Sequence, residues 1–194
     1  MAKIAILGSG NVGSALARGL GRGGHEVRTS RRNDAREKAQ WGEIVILAVP
    51  FGALDEVVRT QGDVLENKTI VDVTNALTQD MQLALGYSTS GAEQLQKKLP
   101  SSRVVKCFNT VFAEHMDKGR VADKQLTVFA AGDDEGARRT VLGLAKQIGF
   151  DAVDAGPLIN ARSLETMGFF NIQLGYVLGH GTKMGLRLVH DEKA

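Results

Sequence analysis

Apolar residues recur along this chain in two rhythms. Short apolar runs read as strands: Ile4-Ala5-Ile6-Leu7 first, then the stretch Glu43 to Pro50, whose fully apolar centre has the look of a strand buried on both faces of a parallel sheet, and next Thr69-Ile70-Val71-Asp72-Val73-Thr74. Arg103-Val104-Val105-Lys106-Cys107-Phe108, Leu126-Thr127-Val128-Phe129-Ala130 and Asp151-Ala152-Val153-Asp154 continue the series. Between these runs the spacing turns helical. Leu54, Val57 and Val58 share a face, and so do Val141, Leu144, Ala145 and Ile148, with Gly149 past their end. Ser90-Gly91-Ala92-Glu93 has the form of a capping box for a short helix that Pro100 stops. The polar stretch 33–40 has room for about two helical turns, each of 3.6 residues, and 78–90 reads as loop. The pattern predicts one long helix over 157–178, broken by Gly179-His180-Gly181, and a last strand over 185–189. Alternating strands and helices predict an α/β protein with a doubly wound, mainly parallel sheet, here over residues 1–155, and a small helical extension over 156–194.

The first strand ends in Gly8-Ser9-Gly10-Asn11-Val12-Gly13, and an Ala/Leu-rich helix and a second strand, His25 to Ser30, follow. That order is the dinucleotide-binding, Rossmann-type βαβ unit. Gly8 makes the turn, Gly10 lets backbone approach a pyrophosphate, and Gly13 lets helix pack on strand. The anion would rest on the N–H groups of Ser9, Gly10, Asn11 and Val12, at the positive end of the helix. An NAD site places an Asp or Glu at the end of the second strand, for the ribose hydroxyls. Here that place holds Thr29-Ser30-Arg31-Arg32. A hydroxyl and two guanidiniums suit a 2′-phosphate, which points to NADP(H) rather than NAD.

Ligands of such sheets bind beyond the carboxyl ends of the strands, where strand order switches. Four stretches should meet there: the glycine turn, Ala48-Val49-Pro50-Phe51, Thr74-Asn75 and Phe108-Asn109-Thr110. The last three can surround a nicotinamide, with Pro50 as a rigid edge. Asn75 and Asn109 either reach its carboxamide or serve as local caps.

Composition adds exclusions. The chain has 194 residues and a net charge of +2, with charges spread throughout, so neither nucleic acid nor an anionic membrane surface is an expected partner. The single cysteine, Cys107, forms no internal disulfide and fits a reducing, cytoplasmic setting. No run approaches the roughly twenty apolar residues of a membrane span, and no His/Cys/Asp/Glu cluster has metal-ligand spacing.

A general acid is hard to find. His25 opens the second strand on the wrong edge of the sheet, His115 reads as a surface residue, and His180 lies among glycines after the long helix. Cys107 reads as a small buried apolar residue. The region after the seventh strand is also too short for the all-helical domain that completes the substrate site of β-hydroxy-acid dehydrogenases and pyrroline-carboxylate reductases. Direct hydride transfer between two rings needs neither acid nor extra domain. The sequence therefore predicts an NADP(H)-dependent oxidoreductase with no catalytic side chain, passing hydride to F420 or to FMN or FAD. The alternatives are a small carbonyl or imine reductase using His115 or His180, and a non-catalytic NADP-binding sensor. Met167, Phe169, Phe170 and Tyr176 on the C-terminal helix predict a homodimer.

The chain resembles the NADPH-dependent reductases of the deazaflavin F420 and the cytosolic reductase domain of the STEAP metalloreductases. The resemblance spans essentially the whole chain. It rests on Gly8 to Gly13, Ser30-Arg31-Arg32, Ala48-Val49-Pro50, Gly132-Asp133-Asp134, and Asp154-Ala155-Gly156-Pro157-Leu158 with Asn160, Arg162 and Glu165. It implies that Ser9 to Val12 hold the pyrophosphate, Ser30, Arg31 and Arg32 the 2′-phosphate, and that Val49-Pro50 flank the nicotinamide. The segment from Pro157 to Met184-Gly185-Leu186 would help form the pocket for the second ring. Arg162 and Glu165 are expected to form an ion pair at the start of the long helix. Three departures concern the acceptor: Phe51 stands where the archaeal reductases tend to have Trp, the second helix is short, and Phe108-Asn109-Thr110 replaces a histidine-containing motif.

Overall fold

The computed structural model describes residues 1–189 and 191, so the end of the expected 156–194 extension lies outside the described residues. Strands β1 (Lys3–Leu7), β2 (Glu26–Ser30), β3 (Ile44–Leu47), β4 (Thr69–Asp72) and β5 (Arg103–Lys106) run parallel. The hairpin β6 (Arg120–Val121) and β7 (Lys124–Gln125) stands apart, and no sequence signal announced it. Strand β8 (Thr127–Gly132) joins β5 antiparallel, and β9 (Asp151–Asp154) pairs parallel with β8. The seven-stranded order is β2-β1-β3-β4-β5-β8-β9.

Alternate residues of each strand feed two separate cores, as apolar strands buried on both faces require. Ile4, Ile6, Ile44 and Ile46 pack with helices α1 (Asn11–Arg22) and α5 (Glu135–Ile148). Ala5, Leu7, Val45 and Leu47 pack with α2 (Ala35–Trp41), α3 (Leu54–Leu65) and α4 (Gly91–Lys98). Ser90 caps α4 as the pattern predicts: Glu93 N donates to Ser90 Oγ at 3.1 Å, while the Glu93 carboxylate reaches back to the Ser90 hydroxyl, at 2.7 Å, where a full capping box would use the Ser90 backbone N–H.

Two expectations need correction. The helix expected over 157–178 is a 3₁₀ turn at Leu158–Asn160, then α6 (Ala161–Ile172), then a widened π turn at Gln173–Val177. The segment expected as a last strand, 185–189, forms no strand. It runs beside β8 with only spaced contacts, Thr127 N donating to Leu186 O at 2.9 Å and Leu188 N to Thr127 Oγ1 at 2.9 Å. One of those contacts uses a side chain where a ladder would use backbone, so regular pairing does not propagate.

Candidate functional site

The order of strands reverses around β1, whose neighbours β2 and β3 are reached by connections leading to opposite sides. At the carboxyl ends of these three strands lies a cavity of about 560 Å³. Gly8 shapes its floor: it has φ 122°, and a Cβ there would lie 2.1 Å from the Ala48 carbonyl oxygen. A Cβ on Gly13 would lie 2.1 Å from the Gly8 carbonyl oxygen, so α1 can approach the turn only without one. Gly10 is the N-cap of α1, with open space beside it. No side chain caps the helix and no acid occupies its first turn. Unclaimed N–H groups at the positive end of α1 are what a pyrophosphate needs.

Seven of the expected site residues share the cavity wall: Gly8 and Ser9 from the β1 exit, Ser30, Arg31 and Arg32 from the β2 exit, Val49 and Pro50 from the β3 exit. Gly10, Asn11 and Val12 start α1 next to it, and Ala48 lies beneath Gly8. The backbone N–H of Arg31 donates to Asp34 Oδ1 at 2.7 Å, which holds the turn into α2. Arg32 is 86% exposed and meets Glu56 at 3.2 Å. A third guanidinium escaped the sequence reading. Arg36, in the first turn of α2, also lines the cavity and forks onto Asp63 at 2.7 and 2.5 Å. Its one signal in the sequence is its place in the polar stretch 33–40, near Arg31 and Arg32.

Whether this wall fits NADP(H) can be judged from its unmet polar groups. The Ser30 hydroxyl is buried in the wall and has no hydrogen-bond partner among the described residues. A buried polar atom without a partner costs about 1–3 kcal/mol. The hydroxyl beside three arginines and the uncapped helix start fit a phosphate-bearing nucleotide.

Asn75 and Asn109 do converge, but on each other. Asn75 Nδ2 donates to the Asn109 carbonyl at 3.0 Å, and Asn109 Nδ2 donates to Asn75 Oδ1 at 3.0 Å and to the Leu164 carbonyl at 2.8 Å. They join the exits of β4 and β5 to α6. The turn that delivers Asn109 is strained: Phe108 takes φ 65°, an outlier for an aromatic residue, while its ring packs edge-on to Phe150 at 5.9 Å.

Behind these asparagines lies a charge cluster that the sequence reading did not contain. Lys106 is 0% exposed, and its Nζ lies 2.9 Å from Asp72 Oδ2, 2.9 Å from Glu165 Oε1 and 2.6 Å from the Thr74 carbonyl. Burial alone would pull the ammonium down, but the two carboxylates outweigh it and hold its pKa above the ordinary lysine value. Glu165 also accepts from the N–H groups of Gly91 and Ala92 at 2.9 and 3.2 Å, at the start of α4. The expected Arg162–Glu165 ion pair is therefore absent. Arg162 instead forks onto Glu93 at 2.8 and 2.7 Å, because both residues of the expected pair face α4 rather than each other.

That fork gives a pH prediction. The Arg162 hydrogen bonds hold the Glu93 carboxyl below its usual range. A carboxyl with a depressed folded pKa contributes stability above its unfolded value, about 4.3, and loses that contribution as pH falls through the folded value. Acid unfolding of the wild type should therefore be steeper below about pH 4.3 than that of Glu93→Gln, by roughly one proton taken up. Chemical-denaturation midpoints measured across pH check this.

The remaining candidates are accounted for. His25 accepts from Ala2 N at 3.2 Å through Nδ1 and meets Gln147 Oε1 at 2.6 Å, so it is a structural residue. His115 is not a surface residue: its side chain is 11% exposed and its Nε2 lies 2.8 Å from the Thr182 carbonyl. The C-terminal segment folding over it made the difference. His180 is exposed. Cys107 is fully buried, which pushes its thiol up to about 12. Among the described residues no His/Cys/Asp/Glu group could hold a metal ion, and no helix is long and apolar enough to cross a membrane.

A second cavity, about 390 Å³, lies on the α1 side of the glycine turn. Asn11, Ser14, Arg18 and Glu114 give it polar walls, and Phe112 and Tyr176 meet edge-on at 5.7 Å along one side.

Comparisons with known proteins agree with this geometry. The family model for F420-dependent NADP oxidoreductases matches residues 3–41. Metalloreductase STEAP3 of Rattus norvegicus is 31% identical over 179 residues, covering 85% of this chain but 36% of that protein. The chain thus spans about a third of that relative's length. The structure of a candidate F420-dependent NADP-reductase from Arthrobacter sp. FB24 superposes with a TM-score of 0.89 at 28% identity, covering 98% of this chain and 100% of that one. A hypothetical protein from Sinorhizobium meliloti gives 0.68 at 26% identity, covering 81% and 86%.

Proposed function

Because this chain belongs to the family of F420-dependent NADP oxidoreductases and is related to the STEAP metalloreductases, we propose that it passes hydride directly between NADP(H) and a flavin-like ring, F420 or a flavin. The observation that carries this reading is the single cavity in which the glycine turn faces Ser30, Arg31 and Arg32. When bound, NADPH supplies the hydride. The chain's own work is to hold it. The start of α1 would take the pyrophosphate, Ser30 and the arginines the 2′-phosphate, and Val49 and Pro50 one edge of the nicotinamide.

The cavity walled by Phe112 and Tyr176 supports placing the second ring on the α1 side of the turn. There the segment after α6 closes the site, as a short helical extension would. No side chain needs to deliver a proton to an alkoxide. Offering F420, FMN, FAD and riboflavin in parallel, with loss of nicotinamide absorbance as readout, tests the reading. Rapid turnover of one ring acceptor is the expected result, with His115→Ala within about three-fold of wild type, less than 1 kcal/mol. Silence with all four despite NADPH binding overturns it in favour of a carbonyl or imine reductase or a sensor.

Pairing of two copies belongs to the same proposal, supported by Ile159, Phe170 and Tyr176, which lie on or beside α6 and are all more than half exposed. A dimer by sedimentation, and a monomer for Phe170→Glu, are expected.

A further inference from the structure

Helix α1 gives the second cavity one polar stripe: Asn11, Ser14 and Arg18, spaced three and four residues apart and so on one face of the helix. The stripe begins at the glycine turn and runs away from it. At about 1.5 Å of rise per residue, Arg18 lies roughly 10 Å along α1 from Asn11. Phe112 and Tyr176 line the same cavity from other elements. A flat ring and a polar chain can therefore lie in it together.

Arg18 brings positive charge that the fold only partly uses. Its Nε lies 3.5 Å from Asp117 Oδ2, but Arg22 claims the same residue, with Nη1 3.8 Å from Oδ2 and Nη2 donating to the Asp117 carbonyl. Two guanidiniums thus share one carboxylate. Nη1 and Nη2 of Arg18 make no hydrogen bond among the described residues, and the side chain is 59% exposed, open to the cavity it lines. Glu114, the carboxylate in the wall, stands 3.9 Å from His115 Nε2 and makes no ion pair with Arg18 among the described residues. Arg22 does not line the cavity.

We infer that the acceptor taken by this cavity is a ring with a phosphate on its side chain, and that Arg18 binds the phosphate. This rests on the ring-to-ring reading above and narrows its substrate class. With the ring against Phe112 and Tyr176, a ribityl chain follows α1 past Ser14 and delivers its phosphate to the free guanidinium nitrogens, a charge-assisted contact. Ser14 Oγ donates to the Ser9 carbonyl at 3.1 Å and keeps its acceptor side for the hydroxyls of the chain. FMN and F420 carry such a phosphate. Riboflavin and 8-hydroxy-5-deazariboflavin are the matching rings and chains without it.

The test is NADPH oxidation with FMN against riboflavin, and with F420 against 8-hydroxy-5-deazariboflavin, by wild type, Arg18→Gln and Arg22→Gln. Wild type should favour the phosphorylated member of at least one pair by roughly five- to ten-fold in kcat/KM, the range of a charge-assisted contact partly screened by solvent. The pair that shows the preference identifies the ring. Arg18→Gln should reduce that preference to within about two-fold. The loss should fall on KM rather than kcat, with the phosphate-free ring and the Kd of NADPH unaffected. Arg22→Gln loosens the same Asp117 pairing without touching the cavity, and should keep the preference. Absence of a preference in wild type, its survival in Arg18→Gln, or equal losses in the two variants would overturn the inference. Turnover of no ring by wild type would instead overturn the ring-to-ring reading on which it stands, so the two failures are distinguishable.

Discussion

Lys106→Met should be the most destabilising conservative change in the strands of this protein, by about 3–5 kcal/mol in urea or guanidinium unfolding. Methionine fills much of the lysine's volume, so the loss is not a cavity effect. It comes from removing the cation that two buried carboxylates share, Asp72 and Glu165, each 2.9 Å from Nζ. Neither carboxylate can reach water without opening the interface between α6 and the β4 and β5 exits. A domain of this size is stable by about 5–15 kcal/mol, so the variant should fold poorly or melt well below the wild type. A lysine whose folded pKa is raised contributes fully below its unfolded value, about 10.4, and loses that contribution only as pH rises through the folded one. Between neutral pH and about 10 the difference between wild type and variant should therefore be flat in this term. A loss under about 1 kcal/mol would show that the cluster is not held as charges.

The second large effect is on cofactor choice. Arg31→Ala combined with Arg32→Ala should lower the NADPH-over-NADH preference by ten-fold or more, because each charge-assisted contact to a phosphate is worth about 1.5–3 kcal/mol. The effect should fall on NADPH and spare NADH, whose ribose offers no 2′-phosphate. Arg36 stands in the same wall and could mask part of the loss, so the triple variant with Arg36→Ala should lose more. The ratio of Kd values for the two cofactors in each variant measures it. An unchanged ratio in the triple variant would remove the arginines from cofactor selection.

Much of this architecture was legible in the chain because the signals were local. The glycine turn, the two arginines after β2 and the apolar strands each follow from a few adjacent residues, and all occupy their expected places. Ser90 caps α4 for the same reason. What the sequence concealed depends on residues far apart in the chain. Lys106, Asp72 and Glu165 come from β5, β4 and α6, and each reads locally as an unremarkable polar residue in an apolar setting. Arg162 and Glu165, expected to pair with each other at the start of the long helix, both turn toward α4. Asn75 and Asn109 were placed at the strand exits correctly, and only the fold revealed that their amides bond each other and the Leu164 carbonyl. The neighbours of His115 suggest a surface residue, but its ring bonds the Thr182 carbonyl, 67 residues later. The segment 185–189 has a strand's composition and still forms none, because its contact with β8 uses the Thr127 hydroxyl in place of a backbone ladder.

The central claim is that the cavity at the β1, β2 and β3 exits is an NADP(H) site, and calorimetric titration of the wild-type protein with NADPH and with NADH tests it most directly. NADPH should bind at least ten-fold more tightly, about 1.4 kcal/mol, with the advantage shrinking as salt is raised. Equal affinity for the two, or tighter binding of NADH, would contradict it.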